Sequence, residues 1–183
     1  MIIDPSISDV LRAYRFLKHR VRHTPVERSF PLGELTGADV FIKWENHQFC
    51  GSFKIRGALN KMFSLTAEER ARGVVTPSSG NHGQGVAFAA SQLGVKAVVC
   101  VPGACPQTKR DAIRRLGGEW VDLRIVGELY DDAEHEAHRV ASDEGRTFVS
   151  SYEDAVVISG AATVGLELMM DEPDLDVILV PAG

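Results

Sequence analysis

Cysteine is scarce in this chain of 183 residues. Cys50, Cys100 and Cys105 are an odd number, and none of them has metal-type spacing, which leaves neither a disulfide framework nor a thiolate metal site. Reduced thiols in a cytoplasmic protein follow, with Cys50 read as a packing residue. Long apolar runs are missing, so no segment reaches the roughly 20 residues that a bilayer requires and no membrane partner is expected. The start, Met1-Ile2-Ile3-Asp4-Pro5, lacks the charged region and apolar core of a signal peptide. Positive charge is in deficit: 20 Lys and Arg stand against 25 Asp and Glu, a formal net charge of -5. Such a chain cannot neutralise a row of phosphates, and nucleic acid is not expected as a partner. The one basic cluster, Lys109-Arg110 with Arg114-Arg115, is interrupted by Asp111 and reads as a solvated helix face. Repeats and low-complexity segments are also absent.

What remains is an ordinary globular composition, 44% hydrophobic and 25% charged, in a length that suits one domain or a little more. Apolar spacing after Ser8 predicts a helix over about 8–19, and residues 40–44 read as a strand. Gly51-Ser52 opens a helix through about Phe63 with Ser52 as its cap, and Thr66-x-x-Glu69 is a capping box. From there strands and helices alternate. Strands are predicted over 73–76, 96–101, 119–123, 146–149 and 177–180. Helices are predicted over 81–93, closed by Gly94, over 106–116, over the stretch lined by Leu129, Ala133, Ala137, Val140 and Ala141, and over about 154–170, softened at Ser159-Gly160. This alternation means a parallel sheet with flanking helices, whose ligands bind at the carboxyl ends of the strands. Ser78–Gly83 lies at one such end. Pro181-Ala182-Gly183 lies at another, and a glycine-bearing strand end with no helix after it reads as an unfinished architecture.

Two runs carry the chemistry. Cys50-Gly51-Ser52-Phe53-Lys54-Ile55-Arg56-Gly57-Ala58 offers an amine in a defined setting. Lys54 becomes a nucleophile if desolvated or placed beside another cation, and Arg56 is two residues away. Phe53 is suited to stacking on a flat cofactor. The alternative is a helix start with Lys and Arg on its exposed face. Ser78-Ser79-Gly80-Asn81-His82-Gly83 offers backbone donors, two hydroxyls, an amide and an imidazole at a helix start, a cradle for a carboxylate or phosphate. The alternative there is a loop whose Ser or Asn simply caps the helix. Gly83-Gln84-Gly85 is a weak dinucleotide-loop fragment, with Phe88 where the third glycine belongs. His135 and His138 could face a metal, but Asp131, Asp132, Glu134 and Glu136 crowd the stretch, which reads as a solvated acidic face. No metal site is expected. His19, His23 and His47 receive no role.

Glu45-Asn46, the run Gly51–Ala58 and the run Ser78–Gln84 together resemble the threonine/serine dehydratase and serine racemase family of pyridoxal-phosphate enzymes, in the right order over about 20–183. The resemblance implies a fold type II α/β protein, a three-layer sandwich with a parallel sheet between helices, truncated on its C-terminal side. Residues 1–50 would begin a large domain, 51–149 form a small α/β domain, and 150–183 resume the large one. It implies pyridoxal 5'-phosphate joined to Lys54 as a Schiff base, Phe53 against the pyridine ring and Asn81 on its 3-hydroxyl. Gly183 would begin the phosphate loop. Ser78, Ser79, Asn81 and His82 would form the substrate-carboxylate loop, with Ser79 as the second acid/base of racemases. A small hydroxy-amino acid would be the substrate and a homodimer or higher homo-oligomer the assembly.

Departures from the family are specific. Only Gly183 of the phosphate loop is present, the later residue at the pyridine nitrogen and the later metal ligands are missing, and Ile158-Ser159-Gly160-Ala161-Ala162-Thr163 replaces the usual Gly-Gln-Gly-Thr. The expected activity is a dehydratase converting threonine or serine to a 2-oxo acid and ammonia. Racemisation is the alternative on the same fold, and a non-catalytic amino-acid- or anion-binding remnant the alternative of another class. The chain as it stands is expected to hold the cofactor poorly and to turn over little.

Overall fold

The structure, a computed structural model, describes residues 4–181. The chain opens with helix α1 (Ile7–Leu17). Its cap is Ser6 rather than Ser8: the Asp9 amide donates to Ser6 Oγ at 3.3 Å while the Asp9 carboxylate accepts from the Ser6 amide at 2.9 Å. That reciprocal pair satisfies two orphan donors, which Ser8 cannot do from inside the first turn. Strand β1 (Val26–Arg28) and strand β2 (Phe41–Lys43) form a two-stranded antiparallel ribbon around helix α2 (Phe30–Thr36). Sequence periodicity does not reveal α2, because none of its seven residues is buried.

A 3-10 turn over Glu45–His47 leads to helix α3 (Lys54–Ser64), then to helix α4 (Ala67–Arg72) with the expected Thr66/Glu69 capping box. Next come strand β3 (Val74–Pro77), helix α5 (Asn81–Leu93), strand β4 (Ala97–Val101), helix α6 (Gln107–Gly117), strand β5 (Val121–Ile125), helix α7 (Tyr130–Glu144) and strand β6 (Thr147–Phe148). Gly94 closes α5 in the left-handed conformation, which glycine adopts without a Cβ clash. The predicted strand over 119–123 begins two residues later, because Gly118–Trp120 winds into a 3-10 turn first.

The sheet runs β5-β4-β3-β6, all parallel, with Val74 opposite Ala97 and Ala97 opposite Val121. Strand parity sorts the core into layers. Val99 and Val101 meet Ala87 and Ile113 of α5 and α6 on one face, while Val75, Val98 and Cys100 meet Ala133, Ala137 and Val140 of α7 on the other. This is the three-layer α/β architecture that the alternation predicts. The largest apolar cluster among the described residues reaches from the start of β3 and β4, at Val74 and Ala97, to Ile55, Leu59 and Met62 of α3, which meet Ala13, Leu17, Val86 and Val157.

The last helical stretch is two helices, α8 (Ala155–Ala161) and α9 (Thr163–Asp171), which part at Ala162 and not at Ser159-Gly160. Gly160 is there for close packing: a Cβ would come within 2.7 Å of the Arg56 carbonyl oxygen and of Asn60 Cβ. Residues 177–180 are not a strand. Val177, Leu179 and Val180 are 71%, 90% and 74% exposed, and among the described residues no backbone lies alongside to pair with them. A strand exists only when its hydrogen bonds have a partner.

Candidate active site

Lys54 is the first residue of α3, and the cap before it is Phe53, whose side chain makes no capping bond. Gly51 is at φ +66, and the helix begins one residue later than expected, so Ser52 is not its cap. The Ser52 hydroxyl is instead buried with no hydrogen-bond partner among the described residues. Lys54 Nζ donates to the carbonyl of Ser151 at 3.3 Å and stands 5.3 Å from the centre of the half-exposed Phe53 ring. Burial holds the lysine below its usual pKa, because the charged form loses water.

Arg56 does not contribute to that shift as a neighbouring cation. It points away and is fully buried. Its Nε and Nη2 donate to the two oxygens of Glu45 at 3.0 and 2.8 Å, and its Nη1 and Nη2 donate to the two oxygens of Glu167 at 2.7 and 2.8 Å. Lys43 completes the cluster, with Nζ 2.9 Å from Glu167 and 3.3 Å from Asp171, and Asp171 meets His23 at 2.9 Å. This ion cluster ties α3 to β2, the 3-10 turn and α9, and its centre, Arg56 with Glu167 and Lys43, is almost wholly shielded from water. Sequence reasoning assigned no role to Glu45, Glu167 or His23. An acid inside the apolar α9 run (Val164, Leu166, Leu168) was the only hint.

The second run forms the turn from β3 into α5. Ser78 is buried, and its Oγ accepts from the amides of Gly80 at 2.9 Å and Gly83 at 2.8 Å. One hydroxyl thus shapes the loop from within and satisfies a donor of the first turn of α5. Ser79 and Asn81 remain exposed, and neither side chain has a hydrogen-bond partner among the described residues. His82 is 4% exposed and lies against the Val149 backbone, but among the described residues neither ring nitrogen makes a well-aligned hydrogen bond. Its pKa falls to about 4, first through burial and then through the charge of Lys54, so the imidazole is neutral at physiological pH.

Glycines bring the two runs together. Gly85 packs α5 on the first turn of α3, where a Cβ would stand 3.0 Å from Ala58 Cβ and 3.1 Å from Ile55 Cα. An amine, an open helix N-terminus and a neutral imidazole therefore converge. Cys50 is no part of this chemistry: burial pushes its thiol up to about 12, and its Sγ lies 3.7 Å from the Gln84 carbonyl. Residues 158–163 back onto α3 from the far side. There Ser159 Oγ meets Asn60 at 3.1 Å, and Thr163 Oγ1 accepts from Arg56 at 3.3 Å. His138 stacks on Phe148, with ring centres 4.2 Å apart. Gly183 lies outside the described residues. A cleft of about 410 Å³ between β1 and α2, lined by Arg28, Phe30 and Asp39, contains neither Lys54 nor the loop.

The donor set fits pyridoxal phosphate. A desolvated amine suits its aldehyde, a half-exposed aromatic its ring, and orphaned Ser52 and His82 its polar edge. Lys54, Phe53 and Asn81 are the residues here that would hold it.

Comparison with known proteins agrees. L-threonine ammonia-lyase of Thermotoga maritima is 43% identical over 97% of this chain and 44% of its own length. Maize serine racemase superposes with a TM-score of 0.88 at 33% identity, covering 95% of this chain and 52% of that one. A threonine deaminase from T.th. follows at a TM-score of 0.80 and 35% identity, over 95% and 54% of the two chains. The chain thus spans about half the length of the relatives it matches. Residues 17–183 match the family model described as pyridoxal-phosphate dependent enzyme. With that match and the amine-and-loop arrangement of Lys54 and Ser78–Gly83, the chain belongs to the pyridoxal-phosphate dependent enzyme family.

Proposed function

We propose that this chain supplies the lysine-bearing part of an ammonia-lyase that converts a hydroxy-amino acid, threonine or serine, to a 2-oxo acid and ammonia. The observation that carries the proposal is the amine of Lys54, desolvated at the start of α3 and packed against an open helix N-terminus. Pyridoxal phosphate, when bound, supplies an electron sink for the charge left when the substrate Cα loses its proton. The chain's own residues do the rest. Lys54 Nζ, whose pKa burial lowers, is the nucleophile toward an aldehyde and then the base for the Cα proton. The amides at the start of α5 and the Asn81 side chain receive the substrate carboxylate and the cofactor's polar edge. Neutral His82 places no charge beside Lys54, so the lowering of the lysine pKa comes from burial. The buried Arg56 cluster keeps α3 from shifting as the amine changes partners.

Racemisation remains the second proposal, and Ser79 supports it, since its exposed hydroxyl is free to return a proton to Cα from the loop side. Borohydride reduction of the chain with pyridoxal phosphate, followed by peptide mapping, tests the assignment. The expected result is a label on the peptide containing Lys54 and none in Lys54→Ala. A label on another lysine would overturn it. Incubating the cofactor-loaded protein with threonine and with L-serine separates the activities: 2-oxo acid supports the lyase, and D-serine that disappears in Ser79→Ala supports the racemase.

A further inference from the structure

The hydrogen bond that Lys54 makes among the described residues goes to the carbonyl of Ser151, at 3.3 Å. That carbonyl lies in the turn that leaves β6, and the turn is fastened on both sides. Upstream, the Val149 amide donates to the Val75 carbonyl at 2.9 Å, and the buried Thr76 hydroxyl donates to the Val149 carbonyl at 2.7 Å. Both bonds hold the turn to β3. Downstream, Ser150 Oγ accepts from the amides of Tyr152 at 3.3 Å and Glu153 at 3.0 Å. Asp154 then accepts from the amides of Val156 and Val157 at 2.8 and 3.2 Å and pairs with Lys61 at 2.6 Å.

A third support comes from α7. Tyr130, its first residue, brings its phenol against the hydroxyls of Ser151 and Tyr152. Tyr152 Oη in turn donates to Glu134 at 3.2 Å. The Tyr130 hydroxyl is buried, yet among the described residues it makes no well-aligned hydrogen bond. Such a group is costly unless it is bonded, and phenylalanine would fill the same space without that cost. The hydroxyl therefore points to a polar task. Burial pushes its pKa up to about 12, so it stays an O–H donor at physiological pH. The helix beneath it is a firm base, since Ala133, Ala137 and Val140 pack on Val75, Val98 and Cys100 of the sheet.

We infer that Tyr130 is a positioning residue for Lys54: its phenol holds Ser151, and the Ser151 carbonyl holds the amine in one place. The inference rests on the function proposed above, in which Lys54 Nζ is the reacting atom. The other titratable groups around this turn, His82, Glu134, Tyr152 and Asp154, are left unchanged in the test.

NMR of the lysine amines in the 183-residue chain, titrated with pH and without cofactor, reads Lys54 directly. Tyr130→Phe keeps the ring and excludes water but frees Ser151. The buried ammonium then loses its acceptor, and its proton affinity is expected to fall about tenfold or more, as loss of a hydrogen bond to a charged group does. Ser151→Ala removes the other side of the same contact and is expected to match it, with the double variant shifting no further than either. Tyr130→Ala opens the site to water and is expected to move the proton affinity the other way, toward that of an exposed lysine. A purely structural role would lower the melting temperature and leave the proton affinity of Lys54 where it is. That unchanged affinity, in either Tyr130→Phe or Ser151→Ala, overturns the inference. Additive shifts in the double variant overturn it too, because Tyr130 and Ser151 would then reach the amine by separate routes. Should Tyr130→Phe fail to fold, Ser151→Ala decides by the same criterion. Borohydride labelling with pyridoxal phosphate in the same samples reads the proposed function separately. Label on Lys54 with no change in its proton affinity overturns the inference and leaves the lyase standing. The expected shifts without any label on wild-type Lys54 remove the lyase and leave Tyr130 as the residue that seats the amine.

Discussion

Replacing Glu167 by Leu isolates the charge cluster beneath the lysine helix. Glu167 is 1% exposed and receives Arg56 through two donors at 2.7 and 2.8 Å and Lys43 at 2.9 Å. Burial by itself would raise its pKa, but the hydrogen bonds from Arg56 and Lys43 outweigh burial and lower it. Glu167→Leu leaves Arg56, fully buried, with one carboxylate instead of two, and Lys43 with only Asp171. Breaking a buried pair from one side costs about 3–5 kcal/mol, because the remaining charge keeps its desolvation penalty. At about 2–4 °C per kcal/mol for a chain of this size, the melting temperature is expected to fall by about 6–20 °C. Urea denaturation followed by circular dichroism gives the free energy directly, with the slope against urea reporting whether the native state has changed. A loss below about 1 kcal/mol with an unchanged slope would refute the argument. It would mean that water reaches the cluster and screens it. The sign with pH follows from the lowered pKa: the stabilisation is present above the ordinary glutamate range and is lost as pH falls through the depressed value.

Two further outcomes are expected. The wild-type chain should lose stability as pH falls from about 6.5 towards 4, by up to about 1.4 kcal/mol per pH unit from His82 alone, since its folded pKa of about 4 means that the unfolded chain binds the extra proton. His82→Asn should remove that part of the slope in pH-dependent urea titrations, and an unchanged slope would show that the imidazole is not buried neutral. Gly80→Ala should destabilise the chain by about 1–3 kcal/mol through its backbone conformation and the clash with Lys109. Calorimetry checks this, and a melting temperature equal to wild type would show that the loop relaxes freely.

The local signals in the sequence were physical and they held where a few neighbouring residues decide the outcome. Thr66 and Glu69 close a box within one turn, Gly94 takes the left-handed cap, and the unbroken apolar run over 97–101 marks a strand buried on both faces. The family runs around Lys54 and Ser78–Gly83 were legible for the same reason: each is a contiguous stretch whose chemistry is carried by residues adjacent in the chain.

Tertiary structure decided the long-range partners. Arg56 stands two residues from Lys54 in the chain, yet its partners are 11 and 111 residues away, so whether it acts on the lysine or anchors the helix depended on where Glu45 and Glu167 are brought. Ser78 and Ser79 are alike in sequence, and only the fold turned one inward onto the Gly80 and Gly83 amides and left the other exposed. The apolar run 177–180 reads as a strand from its composition, but strand formation requires a neighbouring backbone that composition does not supply. Lys109 reads as one charge on a helix face, and only the fold sets its stem against Gly80. Adjacency along the chain determined the Thr66 box and the Gly94 cap but not the caps of α1 and α3, which fell on Ser6 and Phe53. Desolvation and charge pairing depend on what packs opposite, and that information is distributed over the whole fold.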